Sequence, residues 1–96
     1  MSPYKKKKLI IIRKKLDKLD NSLIKIIKQR TFLVKKVLEV KNYKKEIIDK
    51  KRIRKILKNI KTKSLQNNID PKITKRIWYN MIYAYIDFEK RNFKKK

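Results

Sequence analysis

Residues 12–40, IRKKLDKLDNSLIKIIKQRTFLVKKVLEV, carry one hydrophobic period. Ile12, Leu16, Leu19, Leu23, Ile26, Arg30, Leu33, Val37 and Val40 are separated by alternating steps of four and three. Side chains at those separations share one face of a helix, so the spacing predicts a long amphipathic helix. The chain has no Gly, and no Pro between Pro3 and Pro71, so nothing interrupts it. A helix from about residue 5 to residue 41 would be roughly 55 Å long at ~1.5 Å per residue. That exceeds a compact domain of this size. The free part of the stripe needs a partner, most simply a second copy of itself.

Further along, residues 42–46 (Asn-Tyr-Lys-Lys-Glu) break the pattern and read as a loop. A second helix is expected from about Ile48 to Leu65, with Ile53, Ile56, Leu57 and Ile60 inward. Gln66-Asn67-Asn68 is a polar connection. Asp70-Pro71 then supplies an N-cap and a first-turn Pro. The third helix is expected to reach about Phe93, with Ile73, Ile77, Trp78, Met81, Ile82, Tyr85 and Ile86 at helical spacing. There is no strand pattern and no internal repeat. The expected fold is all-α: a single domain over residues 1–96, three helices, the first very long, with frayed basic ends at 1–8 and 94–96.

Composition narrows the chemistry. Without Cys or His, zinc fingers, thiol nucleophiles and imidazole acid–base chemistry are excluded. Without Gly there is no phosphate-cradling loop. Catalysis falls to Lys, Arg, Asp, Glu, Tyr or Ser. A net charge of +24 suggests nucleic acid or an anionic membrane surface. The lysines, however, are spread along the whole chain beside abundant Ile and Asn, as a coding bias toward A and T would produce. Non-specific nucleic-acid attraction is the expected extent of it. The apolar run after Lys5–Lys8 ends at Arg13-Lys14-Lys15, too short for a secretory core or a membrane span. A cytosolic protein is expected.

Charges stand where a core should be. Arg30 occupies a stripe position in a chain whose default cation is Lys. A guanidinium grips a carboxylate with two bonds, which an ammonium cannot do. With eight Asp and Glu in all, an anionic ligand is a better partner than a structural ion pair. Lys41 lies eleven residues on, on the same face; alone it reads as another solvated lysine. Glu89 falls seven after Ile82 and four after Tyr85, inward on the third helix, where a structural salt bridge is an equal reading. Asp49 and Arg52 share a face at the start of the second helix, where an Asp also complements the helix dipole.

Together, Arg13, Leu16-Asp17, Leu19-Asp20, Leu23, Ile26-Ile27, Arg30, Lys41, Asp49, Arg52, Asp70-Pro71 and Glu89 resemble the AroQ-class chorismate mutases, from Arg13 to Glu89. The resemblance implies an intertwined helical homodimer with two active sites, converting chorismate to prephenate in phenylalanine and tyrosine biosynthesis without cofactor or metal. That substrate has two carboxylates, an ether bridge and a ring hydroxyl. Its rearrangement is intramolecular, so the protein needs to hold a compact conformer and stabilise charge on the ether oxygen. By resemblance, Arg30 binds one carboxylate and Arg13, from the partner protomer, the other. Arg13 and Arg30 are seventeen residues apart, roughly 25 Å along one helix, too far for one small ligand. Lys41 would donate to the ether oxygen and a carboxylate. Asp49 and Arg52 would serve the ring hydroxyl, and Val37, Ile82 and Ile86 the apolar walls.

Three positions depart from the family pattern. Ile53 replaces a hydroxyl-binding Glu, leaving more of that task to Asp49. Tyr85 replaces a small Ser. Glu89 replaces an ether-binding Gln and can donate a hydrogen bond only while protonated, so activity is expected to fall as pH rises. The alternatives are isochorismate pyruvate lyase chemistry or a weakly active relative on the same fold, a silent helical dimer, or a basic nucleic-acid-binding helical protein.

Overall fold

Ser2 and Pro3 set the start of the first helix: the Lys5 amide donates to Ser2 Oγ at 3.2 Å, and a Pro at the first helical position loses no needed donor. In the computed structural model, which describes residues 1–95, α1 therefore runs Pro3–Val40. It includes residues 3–8, which were expected to fray. A short 3₁₀ turn, Lys44–Glu46, follows, then α2, Lys50–Gln66, and α3, Pro71–Asn92. No strand occurs among the described residues. Lys96, the end of the expected frayed tail, lies outside them.

The chain divides into two units, Met1–Leu33 and Val34–Lys96. The first is helical from Pro3 onward and contains no buried residue. Its stripe residues Ile12, Leu16, Leu19, Leu23, Ile26 and Leu33 are all exposed.

The second unit holds the core. Ile47, Ile82 and Ile86 are buried, with Leu38, Ile53, Ile56, Leu57 and Phe93 packed against them. Ile53, Ile56, Leu57 and Ile60 on α2 are half-buried, as their spacing predicts. Two details go beyond what spacing gives. Ile73 and Ile77 are exposed, while Trp78, Met81, Ile82, Tyr85 and Ile86 carry the covered face of α3. On the last turns of α1 the covered residues are Val34 and Leu38, and the stripe members Val37 and Val40 are exposed. Within residues 34–40, the stripe positions and the core-facing positions are different faces.

The α2–α3 corner works without glycine. Asn68 takes the left-handed conformation with φ of 56°. The Ile69 amide donates back to Ser64 O at 2.8 Å, and the Asn68 amide to Leu65 O at 3.3 Å. These are the paired bonds that close a helix end, with Asn standing in for the usual Gly. Asp70 Oδ1 then accepts the Lys72 amide at 2.9 Å and Pro71 occupies the first turn, so α3 starts as predicted. Buried Ser64 joins the two helices through its hydroxyl, 2.6 Å from Thr74 Oγ1. No helix among the described residues is long and apolar enough to cross a membrane.

Candidate active site

Lys41 and Glu89 are forty-eight residues apart and meet: Lys41 Nζ donates to Glu89 Oε1 at 3.1 Å. Lys41 immediately follows α1, and Glu89 lies on α3 one face-repeat beyond the buried Ile82 and Ile86. The helical period that buries those isoleucines carries Glu89 inward, and it is 6% exposed. Lys41 is half-buried. A carboxylate so placed loses hydration and must be paired, and Lys41 supplies the pairing. An ammonium has three donors, and Glu89 occupies one of them.

Lys41 also lines an open hollow of about 490 Å³ with Glu46, Ile48, Asp49 and Lys50. The volume is within the range for small-molecule sites. The structure thus brings Lys41 together with Asp49 and with Glu89. Asp49 is the N-cap of α2, its Oδ1 accepting the Arg52 amide at 3.0 Å. The helix starts at Lys50, two residues later than expected, because Asp49 is the cap rather than a first-turn residue. The Arg52 side chain is exposed. Ile53, at the departure from the family pattern, packs against the core. Tyr85 is half-buried on α3, and Val37, expected as an apolar wall, is exposed. In the first unit, Arg13 is exposed and Arg30 is half-buried on α1.

Three residues that shape this region have no helical period to announce them. Ile47, 3% exposed, sits in the connection between the 3₁₀ turn and α2. Its only sequence signal is an apolar Ile47-Ile48 pair within a polar stretch. Glu46 folds that connection by accepting the Asn42 and Tyr43 amides at 3.2 and 2.8 Å through Oε1. Lys95, expected to be frayed, donates from Nζ to Glu39 O and, at 2.8 Å, to Lys41 O.

Comparison with known proteins adds an independent line. The chorismate mutase type II family matches residues 12–90. A chorismate mutase of Methanocaldococcus jannaschii is 37% identical over 76 residues, covering 78% of this chain and 77% of the relative. No solved structure gives a significant match. The match spans both the stripe that begins at Ile12 and the α3 face that ends at Glu89, and on that ground the chain belongs to the type II chorismate mutase family, whose reaction is an isomerisation.

Proposed function

We propose that the chain converts chorismate to prephenate at a site organised around Lys41, and that the working enzyme is a homodimer. The observation that carries the site is the shielded Lys41–Glu89 pair beside the Asp49 hollow. Glu89 spends one ammonium donor in aiming Lys41, leaving two for the ether oxygen and an adjoining carboxylate of the substrate. A donor held before the substrate arrives costs no reorganisation when charge develops on that oxygen. Glu89 itself can donate to the ether oxygen only as the neutral acid; as a carboxylate it positions Lys41.

Arg30 takes one substrate carboxylate and Arg13 of the partner subunit takes the other. Asp49 and Arg52 attend the ring hydroxyl, with Ile82, Ile86, Val37 and Tyr85 around the ring. The reaction requires conformer selection and charge stabilisation, which this Arg and Lys set supplies without a nucleophile. Dimerisation is supported by the first unit's uncovered apolar stripe, since an isolated helix gains most of its stability from packing.

The test is an assay of the purified protein with chorismate, following the loss of its ultraviolet absorbance and the appearance of prephenate. Turnover to prephenate is expected. Absence of turnover sinks the reading, and pyruvate release from isochorismate replaces it with lyase chemistry.

A further inference from the structure

Every α-helix ends with backbone carbonyls that its own amides cannot satisfy. A left-handed residue after the end commonly closes them, and α2 uses Asn68 in this way. α1 ends differently. It has no basic residue in its last turn to complement the negative end of its dipole. Backbone closure there consists of the Lys41 amide donating to Leu38 O at 3.3 Å. The missing cation comes from the far end of the chain: Lys95 Nζ donates to Glu39 O and to Lys41 O.

Lys41 is therefore held twice, and both holds come from the C-terminal segment. Glu89 takes its ammonium. Lys95 takes its carbonyl. Phe93, between them in sequence, packs against the Ile47, Ile82 and Ile86 cluster and anchors the segment that delivers Lys95. The Lys95 ammonium sits on these carbonyls, where the negative end of the helix dipole favours a cation.

We propose that Lys95 is a positioning residue for Lys41: by capping the C-terminal carbonyls of α1 it fixes the backbone from which the Lys41 ammonium reaches substrate. The proposal rests on the reading that Lys41 acts on chorismate. Side-chain aim depends on the backbone that carries it, and a displacement of about 1 Å in a catalytic group can cost on the order of a hundredfold in rate. Lys95 itself touches no substrate.

The experiment compares Lys95→Met, Lys95→Arg and Lys94→Met in steady-state turnover of chorismate, with helix content checked by circular dichroism. Lys95→Met is expected to lower kcat by about fivefold while KM stays within about twofold, because the loss is of alignment rather than of binding. Lys95→Arg should restore kcat, and Lys94→Met, which removes the same charge one residue away, should match the unaltered protein. In parallel, amide exchange at Lys41 should quicken in Lys95→Met alone. A normal kcat in Lys95→Met, an equal loss in Lys94→Met, or unchanged exchange at Lys41 overturns the proposal. Normal turnover by Lys41→Ala would instead overturn the reading on which it rests, leaving the exchange result to judge the tether.

Discussion

The two units of this chain spend their apolar residues differently. In Val34–Lys96, isoleucines from α3 and from a connecting segment meet side chains of α1 and α2 and leave water. In Met1–Leu33, leucines and isoleucines of the same kind follow an equally regular period and stay exposed, Leu19 at 61% and Ile26 at 57%. A period predicts which residues share a face; it does not say which molecule covers that face. The second unit covers its Ile47, Ile82 and Ile86 cluster within the chain, while its Val37, Val40, Ile73 and Ile77 stay exposed. The first unit's stripe stays exposed at Ile12, Leu16, Leu19, Leu23, Ile26 and Leu33, and the proposed dimer rests on that row.

The strongest way to break this comparison is Leu23→Asp. A charge buried without a partner costs several kcal/mol, so dimer affinity should fall about a thousandfold or more. Light scattering at micromolar concentration should then report a monomer, with chorismate turnover lost alongside. A dimer that survives Leu23→Asp, or an unaltered protein that is already monomeric, removes the basis for a site shared between protomers.

A substitution in the other unit sharpens the contrast. Ile86→Ala opens a cavity in the core and should destabilise folding by about 3 kcal/mol. Leu23→Ala should act through assembly instead, so its melting temperature should rise with protein concentration more steeply than that of Ile86→Ala. Equal concentration dependence in the two variants would mean that stripe and core have the same role.

Next in size are Arg30→Ala and Lys41→Ala. Each removes one preorganised donor and should lower turnover by roughly a hundredfold, about 3 kcal/mol. Their folding costs should differ. Lys41→Ala strands the shielded Glu89 carboxylate, a loss of about 1–3 kcal/mol that Lys41→Ala with Glu89→Gln should largely recover in stability without recovering rate. Near-normal turnover in both single variants would show the site to be elsewhere.

Glu89→Gln has the smallest expected effect. It keeps an acceptor for the Lys41 ammonium and adds an amide donor. Turnover of chorismate at neutral pH by Glu89→Gln should stay within a few fold of the unaltered protein, far above that of Lys41→Ala. A loss as large as that of Lys41→Ala would show that the charge of Glu89, rather than its hydrogen bond, aims Lys41.

Part of the candidate site is legible in the sequence because helices convert spacing into direction. Glu89 could be placed inward from Ile82 and Tyr85 alone, and Asp70-Pro71 announces a helix start by local chemistry that needs no tertiary partner. Asp49 shows the limit of such reading: from sequence it is a first-turn partner of the helix dipole or a ligand, and the Arg52 amide at 3.0 Å makes it the N-cap. Ile47 and Lys95 lie outside any periodic stretch, so no pattern distinguishes them from their neighbours.

By itself the sequence determined three helices, their order, the stripe along the first and the family to which the chain belongs, because period, caps and motif spacing are local properties of a chain. Only the tertiary structure decided that Leu38 rather than Val37 faces the core, that Ile47 completes it, and that Lys41 meets Glu89 and Lys95. Those contacts join residues about fifty positions apart. Their geometry depends on how a helix end, a turn and a C-terminal segment pack, which no local spacing encodes.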